Sequence, residues 1–249
     1  MFDPVPEPDY TPVVAPRVFF VQRLGALAEI LLCSGLPTQI LLLGLLTRAG
    51  MTPRTDGGQL APTFLFTLSL VDTVVVLGLV LFFFRAHRER ATDVLFGSAR
   101  VSRETLLGIV LMPFMYFILL MTLAAIVSLA PWLHNVPRNP LEDMLQTNRD
   151  AAMFALVVMI AGGVREEVQR GFILHRFRQY LGGGGVGVIV HSVLFGLGHI
   201  EQGYDAAIAI SVLGAIWGAV FLARGSIVAP MVSHAGFNLA QLLNHVALR

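Results

Sequence analysis

The sequence predicts an all-α polytopic membrane protein, a bundle of about seven transmembrane helices, and three observations predict it. Hydrophobic residues make up 55% of the 249-residue chain against 13% charged, and mean hydropathy is +0.74, a balance foreign to soluble domains. The apolar residues gather into runs of about 20, the length at which a helix crosses a hydrocarbon core roughly 30 Å thick. The connections between runs carry the basic charge, and all of it is arginine, since the chain has no lysine.

Residues 1–16 hold five prolines and three acids without the charged-then-apolar order of a cleaved signal peptide, and are expected as a disordered tail. Residues 17–130 supply three spans. The first, 24–46, is interrupted by Pro37 and carries Glu29; the second, 61–84, encloses Asp72; the third, 106–129, is the most uniformly apolar. Residues 131–150, PWLHNVPRNPLEDMLQTNRD, read as an extracytoplasmic loop. Residues 151–249 then hold a long amphipathic segment, 151–181, followed by spans at 186–199, 206–223 and 227–248.

Five arginines between residues 85 and 103 form the heaviest basic cluster and are expected in the cytoplasm. Alternation from there places the amino terminus inside, 131–150 outside, the Arg170–Arg178 cluster and Arg224 inside, and the carboxyl terminus outside. The expected setting is the plasma (inner) membrane, with the lipid bilayer as the constant partner. A net charge of +1 and a pI near 8.0, with arginines spread between apolar runs, give no basic face for nucleic acid. The lone cysteine, Cys33, excludes an internal disulfide and any cysteine-only metal site.

Charge at bilayer depth is costly and marks function or a buried partner. Glu29 and Asp72 stand alone and read as structural acids paired with an arginine or with backbone. Three clusters differ in kind: Glu166-Glu167 with Arg170 in REEVQRGF, Phe195 with His199 in FGLGH, and His234 with Asn238 in HAGFN. A spacing of four puts each pair on one helical face, and His191, Phe195 and His199 share a stripe. Helical rise lets Glu166, His199 and His234 converge near the midplane when their segments pack together.

Residues of these types can act on water: hydrolysis at a carbonyl needs an activated water, donors for the oxyanion and a proton for the leaving group. A glutamate in a low-dielectric cavity can take the proton from water. His199 can position that water or pass the proton on, and His234 and Asn238 can point donors at the oxyanion. The same atoms allow a zinc reading, with Glu166, His199 and His234 as three ligands and an open fourth position. The cofactor is therefore open between none and zinc.

The order Glu-Glu ending in Arg-Gly, then Phe-x-x-x-His, then His-x-x-x-Asn, resembles the CPBP family of intramembrane proteases, which includes the CAAX prenyl endopeptidases and relatives linked to bacteriocin processing and immunity. The resemblance covers about residues 150–245, including GAIWGAVFLARGSIVAPMVSHAGFN. It implies a protease core in the last four helices, residues 151–249, acting on a peptide or lipidated protein substrate. In the commoner family pattern three residues separate the glutamate pair from the arginine; here only Val168 and Gln169 do. Either Glu166 or Glu167 can thus be the base, and the spacing of four from Arg170 favours Glu166, with Glu167 pointing about 100° away.

Two other classes use similar residues. Histidines from several helices can hold haem or relay protons in a transporter, and a non-catalytic relative can use the cavity as a peptide-binding scaffold. The run GGGGVG at 182–187 satisfies a dinucleotide fingerprint formally, but no strand precedes it, and it reads as a link. Gly214 and Gly218 have the spacing that lets helices pack closely. Trp132 reads as an interfacial residue and Trp217 as a core one.

Overall fold

The computed structural model describes residues 19–137 and 139–247; the tail expected at 1–16 lies outside them. These residues are helical throughout, apart from connections and an isolated bridge between Arg54 and Leu60. The first expected span is two helices, α1 (Phe20–Cys33) and α2 (Leu36–Arg48), bent by 40°. The break falls at Gly35, whose φ of +82° lies in the left-handed region. Pro37 follows in the first turn of α2, where its missing N–H costs no hydrogen bond.

Helix α3 (Pro62–Ala86) leads to the short α4 (Ala91–Leu95) and to α5 (Val101–Leu129). The loop at 131–147 contains a 3-10 turn, Pro131–Leu133, and one turn of helix, α6 (Pro140–Asp143), capped by the Asn139 side chain. Helix α7 (Asn148–Val157) opens on a capping box in which Thr147 and Asp150 satisfy each other's backbone N–H. It runs through a π-helical stretch, Val158–Arg165, into α8 (Glu166–Tyr180). Helices α9 (Gly184–Leu197), α10 (Tyr204–Arg224) and α11 (Val228–Ala247) complete the bundle.

By length and composition α3, α5 and α10 can each cross a membrane, and α1 with α2 makes a fourth candidate as one bent span. The other segments fall where spans were expected, but α9 has only 14 residues and α11 and the α7–α8 run are more polar. Leu106, Val110, Phe117 and Leu120 of α5 lie on the bundle surface. An apolar outer face of this kind suits lipid rather than water.

The lone acids are paired. Asp72, 1% exposed, accepts from Thr38, Gln39 and Arg165. Glu29 accepts from Arg176 Nε at 2.6 Å and meets His87 at 2.6 Å. Arg224 holds Glu104 of α5 at 2.6 Å, and the Ile227 N–H donates to the Leu95 carbonyl, so the 85–104 connection lies at the same end of the bundle as the α10–α11 turn. At the other end His134 meets Asp205 at 2.6 Å, Asn135 accepts from the Tyr204 N–H, and Glu142 reaches His245 at 3.3 Å. A Cβ on Gly214 or Gly218 would come within 3.0 Å of Phe195 or 3.2 Å of Val188, so that stripe packs α10 on α9. Gly182 and Gly183 form the α8–α9 turn, and the rest of the glycine run begins α9. Trp217 is in the core, as expected, and Trp132 is exposed.

Candidate active site

The helix that carries the glutamate pair is shaped by the residues just before it. Gly162 and Gly163 sit in the π-helical stretch against α11: a Cβ on Gly162 would fall 2.5 Å from Asn238 Nδ2, and one on Gly163 2.5 Å from Ala235 Cβ. The absent side chains let α11 approach this turn closely, which carries Asn238 and His234 to the glutamates. A π-turn of this kind often marks a functional site. The signal was present in the sequence as AGGV, but neither glycine was singled out there.

The two glutamates face different surroundings. Glu167 is fully buried; its Oε1 accepts from Arg170 Nη1 and lies 2.8 Å from His234 Nδ1. Because a carboxylate oxygen accepts, His234 presents Nδ1–H to it and turns Nε2 outward. Glu166 lines a cavity; its Oε1 accepts from Arg165 Nη2 at 3.0 Å, and its Oε2 lies 3.8 Å from His234 Nε2. The pairing of Arg170 with Glu166 expected from the spacing of four does not form. Arg170 takes Glu167 at a spacing of three, and Arg165 takes Glu166.

Aromatic rings fix the histidines. Trp217 stacks on His234 with ring centroids 3.9 Å apart and planes 18° from parallel, and its Nε1–H donates to Ser233 at 3.2 Å. The Arg170 guanidinium lies 4.9 Å from the Phe195 ring centre, a cation–π contact suited to a charge buried at 1% exposure. His199 sits just past the end of α9, its Nδ1–H donating to the Phe195 carbonyl at 2.8 Å, which leaves Nε2 as the free nitrogen. His191 continues the same ring column above Phe195 but does not line the cavity.

The cavity, about 730 Å³, lies among α3, α5, α7, α8, α10 and α11. Glu166, His199, His234 and Asn238 all line it, as do Arg165, Trp217 and Phe237; Glu167 and Arg170 stand behind the wall. The residues singled out from the sequence thus share one cavity wall, and Arg165 and Trp217 line it with them although sequence reasoning did not assign either to a site. The zinc arrangement fits poorly. Among the described residues no three His, Cys, Asp or Glu side chains converge as metal ligands, and the Arg165 cation occupies one oxygen of Glu166.

A carboxylate, two histidines and an amide thus face one largely apolar cavity inside the helical bundle, the kind of place where a hydrolytic site is looked for. Residues 148–240 match the family model described as type II CAAX prenyl endopeptidase Rce1-like. The match supports a CPBP-type intramembrane protease domain, a peptidase of the CAAX class, over those residues, in a chain whose apolar helices fit an integral membrane protein. The matched stretch runs from α7 through most of α11 and contains every residue of the cluster; α1 to α5 lie before it. Neither the comparison with curated proteins nor that with solved structures gives a match.

Proposed function

We propose that the chain cleaves a peptide bond of a membrane-associated or lipidated substrate in this cavity, with Glu166 activating the attacking water. The observation that carries the reading is the division of labour between the two glutamates. Glu166 faces the cavity with one oxygen directed toward His234 Nε2, whereas both known partners of Glu167 hold it in the wall. Polar atoms 3.8 Å apart can share one water between them, which suits Glu166 and His234 Nε2. Glu166 takes a proton as the water oxygen attacks the scissile carbonyl, and the proton passes to the leaving amine as the tetrahedral species collapses. His199 Nε2, unprotonated while Nδ1–H is donated, can take the proton from Glu166 and pass it to the leaving amine. Asn238, one turn from His234, offers its amide to the oxyanion.

The test uses the full chain reconstituted in liposomes and a quenched fluorescent farnesylated peptide ending in Cys-aliphatic-aliphatic-X. Expected are turnover by the wild type, unaffected by 1,10-phenanthroline, and its loss in His199→Ala and His234→Ala. Normal turnover in both histidine variants would remove the mechanism, and abolition by the chelator would return zinc to it.

The membrane orientation belongs to the same proposal. The basic connection at 85–104 and the α10–α11 turn share one end of the bundle, and the 131–147 loop lies at the other with the start of α10. This supports seven crossings with the amino terminus in the cytoplasm of the plasma (inner) membrane. On a Cys33→Ala background, a cysteine at the exposed position 98 should label from the cytoplasmic side and one at position 137 only from outside. The reverse pattern refutes the orientation.

A further inference from the structure

Arg165 joins the active site to helices that precede the matched domain. Its guanidinium is a rigid planar fork. One arm, Nη1, donates to Asp72 Oδ2 of α3 at 3.2 Å, and the other, Nη2, donates to Glu166 Oε1 at 3.0 Å. Fixing one arm of such a fork fixes the other. Asp72 is itself held by the Thr38 hydroxyl and by Gln39 Nε2 at 3.2 Å, both from the first turn of α2. The bend between α1 and α2 makes room for the pair, since a Cβ at Gly35 would stand 3.2 Å from Arg165 Nη1 and 3.6 Å from Asp72 Oδ2.

We propose that Asp72 is a positioning residue for the peptidase reaction: acting through Arg165, it holds Glu166 by one oxygen and leaves the other free for water. The inference rests on the reading of Glu166 as the base. An arginine beside a carboxylate prefers to grip both oxygens with its two arms. Asp72 claims one arm, so the grip on Glu166 is single and Oε2 stays turned to His234. Asparagine in place of Asp72 leaves a neutral acceptor about half as strong as the carboxylate, so the Arg165 guanidinium moves toward the remaining anion and closes on Glu166 bidentately, which masks the base. The aspartate thereby gives α2 and α3, outside the matched segment, a part in the chemistry.

The experiment compares kcat and KM of the reconstituted full chain on the same farnesylated peptide. Asp72→Asn should lower kcat by about 10- to 100-fold, the scale of a sub-ångström to 1 Å misplacement. KM should stay within about twofold of the wild-type value, because Asp72 is behind Arg165 and does not line the cavity. Asp72→Glu should recover part of the rate. Adding Arg165→Gln to Asp72→Asn should raise kcat above that of Asp72→Asn alone, since the masking cation is removed. Where Asp72→Asn does not survive extraction, Gln39→Leu carries the test, with a several-fold fall in kcat at constant KM expected. Folded Asp72→Asn or, failing it, Gln39→Leu with wild-type kcat overturns the inference, as does a double variant no faster than Asp72→Asn. Failure of the underlying reading has a different signature: Glu166→Gln then turns over normally.

Discussion

Glu166→Gln should reduce peptide cleavage by about 10²- to 10⁴-fold, the usual contribution of a positioned general base, while the protein extracts and melts as the wild type does. The glutamine keeps the size of the side chain and can still accept from Arg165, so what is lost is the capacity to take a proton. Glu167→Gln should behave differently. Its carbonyl can still accept from Arg170 and from His234 Nδ1–H, so the ring stays oriented. The negative charge behind the ring disappears, and a fall of about 10- to 100-fold is expected, the cost typical of losing an outer partner of a site histidine. In the Glu166→Gln background the second substitution should add little, because the members of a cooperating set fail together. A dead Glu167→Gln beside an active Glu166→Gln would move the base to Glu167 and reverse the assignment.

The same pair of residues shows how far the sequence can be read. The apolar runs located the long helices to within a few residues, because a bilayer-length run of apolar side chains admits little but a helix, whereas the short α4 and α6 and the division of the first span into α1 and α2 were not read from them. Three pairs at a spacing of four located Glu166, His199, His234 and Asn238. The spacing argument also chose Glu166 over Glu167, but by way of an Arg170 contact that is not made. Spacings of three and four are both permitted on a helix. The choice between them depends on His234, 67 positions away, which draws Glu167 inward, and on Asp72, 93 positions before Arg165, which turns that arginine toward Glu166. Neither partner is visible in a local pattern. Glu29 and Asp72 could be read as structural acids in need of a cation, yet their partners Arg176 and Arg165 are set by how α1 and α3 pack on the later helices. The π-helical turn escaped for a related reason: two small residues become informative only once α11 is seen to lie on them.

Arg176→Met should destabilise the protein by about 3 kcal/mol, the lower end of the cost of stripping the partner from buried charge. Arg176 is fully buried, with its guanidinium 4.7 Å from the Phe172 ring centre. Its Nε holds Glu29 of α1 at 2.6 Å, and its Nη1 donates to Glu89 at 2.6 Å and to Gln179 at 2.9 Å. Glu89 lies in the α3–α4 connection, so one arginine of the protease domain ties both amino-terminal elements to α8. Methionine fills a similar volume and leaves two carboxylates without their cation, which is why the loss comes from the stranded acids rather than from a cavity. Thermal unfolding in detergent should therefore show a deep fall for Arg176→Met and a recovery of at least half when Glu29→Gln and Glu89→Gln are added. The cost falls at the lower end because Glu89 is partly open to water. Burial pushes its carboxyl upward, but hydrogen bonds from His175, Arg176 and Gln179 outweigh that and hold it below its ordinary value of 4.5. A depressed carboxyl contributes stability that is fully present above the unfolded value and is lost as pH falls through the folded one. Acidification from pH 6 to below 4 should thus cost the wild type more stability than it costs Glu89→Gln. If the triple variant melts no higher than Arg176→Met, the arginine's packing rather than its charge holds these helices together.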